Sequence, residues 1–146
     1  MTWERDRPRG FAAALVTGDD AQVGVQLYAL APGDPMSMYH WEANQEGFLV
    51  LSGEALVIVE DEERPLRQWD YFHCPPGVPH TIVGAGSGPC VILAVGARIS
   101  DEGAYPYSDV AMKHNASAEE ETPESKVAYA RFPAVEPAEF REEWLA

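Results

Sequence analysis

The sequence predicts an all-β fold, a barrel or sandwich of many short strands followed by a partly helical C-terminal tail. Three observations carry that expectation. The chain has 146 residues, a length that suits one domain. Hydrophobic residues make up 46% of it, enough for a core. The chain has 12 glycines and 12 prolines, and most of them punctuate the first hundred residues, which leaves room for strands and turns but not for long helices.

Residues 1–21 read as a lead-in, with Phe11 to Val16 as an edge strand before the Gly18-Asp19-Asp20 turn. Residues 22–99 read as the barrel. Val23 to Leu30 is its first firm strand, Ala31 to Pro35 a turn, and Met36 to Trp41 a second strand. Glu46 to Leu51 and Glu54 to Glu60 follow, with Ser52-Gly53 between them as a hairpin signal. Asp61-Glu62-Glu63 reads as a solvated hairpin tip. Arg64 to Arg67 and Tyr71 to Cys74 are short strands. Pro75-Pro76-Gly77-Val78-Pro79 is a stiff loop, because proline holds φ and glycine supplies the turn. His80 to Val83 and Cys90 to Ile99 complete the series. Residues 100–146 form an extension expected to pack on the barrel or on a partner subunit. Within it Pro123 opens a short helix over Glu124 to Arg131, and Pro137 to Leu145 forms another.

Charge narrows the partners. The formal net charge is -14, so a phosphate backbone is repelled and nucleic acid is an unfavourable partner. Anionic membrane surfaces are disfavoured for the same reason, and no segment holds the ~20 apolar residues of a bilayer span. The N-terminus, Met1 to Arg7, has no apolar run after its charges and does not read as a secretory signal. Cys74 and Cys90 show no metal or redox spacing and read as buried reduced thiols. A cytoplasmic location is the expectation.

Two clusters carry potential chemistry. In His40-Trp41-Glu42-Ala43-Asn44-Gln45-Glu46, His40 and Glu42 are two apart on a strand and share a face, while Trp41 points away. Glu46 re-enters that face from the next strand. In Pro75 to His80 the stiff loop delivers His80 onto a new strand. Two imidazoles and two carboxylates suit a divalent ion such as Mn, Fe, Co, Ni or Zn. A His-x-Glu alone more often marks a solvated face, and it is the second cluster that gives the first its weight. His73 reads as a packed or interface residue and His114 as surface.

The segment Gly33…His40-x-Glu42-x3-Glu46-x6-Gly53 resembles the first cupin motif, G-x5-H-x-H-x3,4-E-x6-G. Asp70…Pro75-x-Gly77-x2-His80 resembles the second, G-x5-P-x-G-x2-H-x3-N, and the 15 residues from Glu54 to Gln68 between them match compact microbial cupins. The resemblance implies a double-stranded β-helix, or jelly-roll, barrel with a metal on His40, Glu46 and His80. Four positions depart from it: Glu42 replaces a histidine, Gly33 lies one residue further from His40, Trp69 stands where glycine is usual, and Gly84 where asparagine is usual. Glu42 therefore matches only by position. Charge supports it as a fourth ligand, since two uncompensated carboxylates inside a barrel are costly. A site of two histidines and two glutamates neutralises a divalent ion, which makes it a weaker Lewis acid than a site of three histidines and one glutamate.

Tyr28, Met38, Phe48 and Tyr71 are the candidate substrate-binding residues at the cavity mouth, with core packing the competing reading for each. The resemblance implies a metal-dependent enzyme of dioxygenase, isomerase or lyase type acting on a small organic molecule. The alternative is a non-catalytic module that holds a small ligand on the metal. Exposed strand edges and an aromatic tail predict a homodimer.

Overall fold

The computed structural model describes residues 1–6, 11–132 and 134–145. Its strands in chain order are β1 (Trp3–Asp6), β2 (Phe11–Leu15), β3 (Val23–Leu30), β4 (Trp41–Glu42), β5 (Glu46–Ser52) and β6 (Glu54–Val59). They continue as β7 (Glu62–Arg67), β8 (Tyr71–Cys74), β9 (His80–Ala85), β10 (Cys90–Ala97), β11 (Gly103–Ala104) and β12 (Glu136–Ala138). Two one-turn helices, α1 (Asp109–Met112) and α2 (Ser125–Ala128), and a 3-10 turn at Glu142–Leu145 lie in the extension. No described helix is long and apolar enough to cross a membrane.

The strands form a seven-stranded sheet in the order β12-β1-β2-β3-β10-β5-β8, a three-stranded sheet β7-β6-β9, and the pair β11-β4. All named pairings are antiparallel. Alternation along each strand decides what meets between the two larger sheets. On β5, Phe48 and Val50 face inward; on β6, Ala55, Val57 and Val59; opposite them lie Ile82 of β9 and Ile92 of β10. Ile58, of the other parity on β6, packs instead with Tyr39, Val83, Ala111 and Ala116, where the extension covers the outside of the small sheet. Trp3, Ala12, Ala14, Ala29, Val91 and Trp144 form a further cluster on the outer face of the large sheet.

Several expected elements differ. Ser52-Gly53 is not a hairpin: β5 pairs with β10 and β8, whereas β6 pairs with β7 and β9, so the chain crosses between sheets there. Gly53 makes that corner at φ +77, with Pro89 O 2.4 Å from where a Cβ would sit. The tight hairpin is one step later, at Glu60-Asp61, whose φ values of 50 and 60 suit the twist of a two-residue turn. The Tyr39 hydroxyl accepts the Asp61 N–H there at 3.0 Å.

Met36 to Trp41 is not a continuous strand. It bends, touching the small sheet through single bridges at Pro35–Val83 and His40–His80. β2 is not an edge strand, because β1 and β12 lie outside it. The expected helix over Pro137 to Leu145 is replaced by β12 and a 3-10 turn. β12 is the terminal strand of its sheet, where Pro137's missing N–H costs no ladder bond. The helix after Pro123 is present but shorter, and it starts after Glu124.

Two positions generate predictions. Trp69 adopts φ +73 with 69% of its surface exposed, a left-handed conformation unfavourable for a bulky residue. Trp69→Gly is expected to raise stability by about 1 kcal/mol in urea unfolding, and a decrease contradicts this account. At Gly84 a Cβ would lie 2.2 Å from Ala31 O, backbone that has no room to yield. Gly84→Ala is expected to cost about 2 kcal/mol or more by the same measurement, and a neutral result contradicts the packing.

Candidate metal centre

The two histidines are set by the backbone before their side chains are considered. His40 N–H donates to His80 O at 3.1 Å and His80 N–H to His40 O at 2.8 Å. This reciprocal bridge holds the two imidazoles with centroids 4.9 Å apart. The loop before His80 is tied to the first cluster as well, since Gly77 N–H donates to Glu42 O at 2.7 Å.

Each ring is then oriented by the same device. His40 Nδ1 lies 2.8 Å from Met38 O, and His80 Nδ1 lies 3.0 Å from Val78 O, in both cases the carbonyl two residues earlier. A carbonyl only accepts, so each Nδ1 donates there and each ring turns its Nε2 toward the cavity. Cys74 Sγ lies 3.1 Å from His80 Nδ1 and 3.4 Å from Val78 O. Burial, then nearby carboxylates, pushes its thiol up to about 12, so it stays protonated. Cys74 and Cys90 are both buried and free.

Glu46 enters from β5 on the parity of Phe48 and Val50, which sends its carboxylate inward. Its Oε2 is 2.9 Å from His80 Nε2 and 4.0 Å from His40 Nε2. The 2.9 Å contact is short, yet neither Glu46 Oε2 nor His80 Nε2 has a hydrogen-bond partner, and both atoms are buried. With the proton on Nδ1, a lone pair faces a carboxylate lone pair. Such an arrangement is repulsive unless a cation lies between the two atoms or His80 takes a second proton.

His40, Glu46 and His80 each offer one donor atom, and these atoms lie within 4.8 Å of one another. Two atoms 2.9 Å apart are both within reach of one ion bonded at ~2.1 Å, and the nitrogen–oxygen donor set suits a divalent transition metal. The residues present therefore fit the ion that the sequence motifs imply.

Glu42 stands apart from that three-residue set. Its Oε1 lies 3.2 Å from His40 Nε2, and its side chain is 34% exposed at the cavity rim. A hydrogen bond from His40, when that ring carries its second proton, holds the Glu42 carboxyl below the usual carboxylate range, against the opposing effect of partial burial. Glu42 and His40 do share a face, and Glu42 also lines the inner cavity.

The three donors line a cavity of about 210 Å³. Of the four residues expected at its mouth, Tyr28 and Phe48 line it. Met38 does not. It is fully buried behind the wall, where its N–H donates to the Tyr129 hydroxyl and its sulfur accepts from Arg131. The bent chain before His40 breaks the alternation and turns Met36 into the cavity instead. Tyr71 is 63% exposed. Its ring lies over Gly47 on the outer face, because Phe72, of opposite parity, takes the inward place stacked on Phe48. His73 is exposed, and His114 pairs with Glu63 at 2.6 Å.

Sequence reasoning missed the tyrosines of the extension. Tyr105 and Tyr129 both line the cavity. Tyr105 lies 5.8 Å from the His40 ring and 5.7 Å from Tyr129. Asn44 delivers the extension to this place. Its amide donates to Ser100 O at 2.7 Å and its oxygen accepts from Ile99 and Ser100 N–H, both at 3.1 Å. β11 then pairs with β4 and carries Tyr105 next to His40. The one available signal was Asn44, a polar residue between two ligand-type glutamates.

Outside the inner cavity lies a wider vestibule of about 640 Å³, which shares His40, Glu42 and Tyr105 with it. Carboxylates dominate its lining, with Arg98 the only arginine or lysine among the described residues there.

Comparison with known proteins agrees with this architecture. Residues 26–96 match the family described as Cupin domain. No curated protein matches the sequence. A cupin-superfamily structure from Silicibacter pomeroyi, described as a sugar phosphate isomerase, is 28% identical at a TM-score of 0.60, over 68% of this chain and 66% of that one. The chain thus spans just under two thirds of that protein's length. A Thermus thermophilus structure is 29% identical at a TM-score of 0.56, over 64% of this chain and 88% of the other. A cupin 2 domain-containing protein from Halorhodospira halophila shares the fold at 19% identity and a TM-score of 0.59, over 72% and 75% of the two chains. The β-sheet order, the two motifs and the matched segment agree: residues 26–96 form a cupin domain.

Proposed function

We propose that this protein holds one divalent transition-metal ion, from among Mn, Fe, Co, Ni and Zn, on His40, Glu46 and His80. We further propose that it isomerises a small oxygen-bearing organic molecule with Glu42 as the proton-moving group. The observation that carries the metal reading is the unpartnered pair of buried acceptors, Glu46 Oε2 and His80 Nε2, facing each other at 2.9 Å. When bound, the ion supplies Lewis acidity toward a substrate oxygen.

Glu42 suits the other half of the chemistry. Its carboxylate is ionised at neutral pH, and it stands at the rim, where a bound molecule passes it. An aldose–ketose type isomerisation moves one proton between neighbouring carbons and one between their oxygens. It consumes no oxidant or other co-reactant: Glu42 would take the proton from one carbon and return it to its neighbour, while the second proton would pass from one substrate oxygen to the other. The similar Silicibacter protein described as a sugar phosphate isomerase supports this class of reaction. Phe48, Tyr105 and Tyr129 narrow the cavity around the donors and limit the water beside them.

Elemental analysis of the purified protein and titration with Co(II) test the metal reading. Wild type is expected to take up one equivalent, and His80→Ala and Glu46→Ala to lose it. Glu42→Gln is expected to keep its metal while losing about 100-fold or more in turnover, read as hydrogen–deuterium exchange into a panel of hydroxy-aldehydes and hydroxy-ketones. Loss of metal in Glu42→Gln would make Glu42 a ligand and remove the base assignment. Ligand-dependent thermal stabilisation without exchange in wild type would favour the non-catalytic binding module.

A separate prediction uses the metal-free protein. Glu46→Gln gives the buried imidazole a donor, so the metal-free variant is expected to be about 1 kcal/mol more stable than metal-free wild type in urea unfolding. Added metal should no longer stabilise it. A less stable metal-free variant would show that the Glu46–His80 contact is not repulsive.

A further inference from the structure

We infer that the ligand of this site carries a positive charge: a small molecule with oxygen donors at one end and an ammonium group at the other, rather than a phosphorylated one. The inference rests on the metal reading above and adds to it the class of ligand.

The lining of the vestibule beside the cavity includes five carboxylates, Asp19, Asp20, Glu42, Asp101 and Glu102, and one guanidinium, that of Arg98. Arg98 is already engaged. Its side chain lies along Gly24, with Nε 2.6 Å from where a Cβ would sit, and its Nη1 donates to Gly18 O at 3.1 Å. The inner cavity adds Glu46 to the shared Glu42, and among the described residues no lysine or arginine lines it. Those two glutamates offset the charge of a divalent ion, so the ion does not recruit an anion by net charge.

A phosphate group is held by guanidinium, ammonium or clustered N–H donors. The lining of this approach offers the opposite. Trp41 and Tyr105 are also in the vestibule lining, and aromatic side chains are partners a cation can use and an anion cannot. The acidic rim alone would be only a solvated surface. It gains meaning because it shares His40, Glu42 and Tyr105 with the adjoining cavity that holds the buried, unpartnered His80 Nε2. The inner end points to a bound group, and the rim decides which molecules approach it.

Three hydroxamates with one metal-binding head and different tails test the inference on the Co(II)-loaded protein: β-alanine hydroxamate with an ammonium tail, acetohydroxamic acid with a neutral one, and succinic monohydroxamate with a carboxylate. Affinities are read from the visible spectrum of the bound Co(II). At low ionic strength the ammonium tail is expected to bind about tenfold tighter than the carboxylate tail, with acetohydroxamic acid between them. The spread should shrink at about 0.5 M NaCl, where exposed charges are screened. The double variant Asp101→Asn, Glu102→Gln lies outside the donor set and should narrow the spread while leaving acetohydroxamic acid unchanged. Equal or tighter binding of the carboxylate tail would overturn the inference, as would a spread that the double variant does not alter. Failure to take up Co(II), or a spectrum that acetohydroxamic acid does not perturb, would instead overturn the metal reading and this inference with it.

Discussion

The site depends on one backbone contact, the reciprocal pairing of His40 and His80. Residues forty apart in the chain are joined there by two hydrogen bonds outside any regular strand ladder. The bridge brings the bent segment after Pro35 onto the first residue of β9. It places the two imidazoles side by side before any ligand is considered, and the carbonyls of Met38 and Val78 then fix which nitrogen each ring presents. Preorganisation of this kind has a cost. Two imidazole nitrogens and a carboxylate converge in one small cavity, and on the proposed metal reading a cation would offset their repulsion.

Much of this was legible in the sequence, and the reasons differ from residue to residue. The period-two pattern of β5 gives the inward direction of Glu46, Phe48 and Val50 directly. The Pro75–Pro79 loop announces itself through proline and glycine, and so does the placement of His80 after it. What alternation does not encode is where a chain departs from strand geometry. Between Pro35 and His40 the backbone bends, and that single departure exchanges Met38 for Met36 as the cavity residue. Tyr71 failed for the complementary reason: β8 does alternate, but Phe72 holds the inward parity. Ser52-Gly53 resembles a hairpin in sequence because a sheet-to-sheet crossing needs the same left-handed glycine as a turn.

The extension was the least legible part, since its role is defined by long-range contacts. Pro137 looks like a helix start until β1 is present to pair with β12. Tyr105 and Tyr129 carry no local signal of proximity to His40. Tyr105 reaches the cavity because Asn44 grips the backbone at Ile99 and Ser100 and β11 pairs with β4, and Tyr129 is tied there by the Met38 N–H that donates to its hydroxyl. Residues beyond the matched cupin segment, 26–96, thus build part of the wall around its centre. That wall is where members of a shared fold can diverge in ligand while keeping the same donors.

The replacement of histidine by glutamate at position 42 ties these strands together. With histidine there, a divalent ion would keep a positive charge and draw anions toward itself. A Glu42 carboxylate at the rim would offset that charge. The same carboxylate lines both the inner cavity and the vestibule, so it sets the charge seen from each side. The surrounding carboxylates of the vestibule extend that sign outward. On the proposed metal reading, a single departure within a recognisable motif would change the centre's Lewis acidity, its supply of a proton acceptor and the charge of the molecules it admits, while the fold that holds it stays the same.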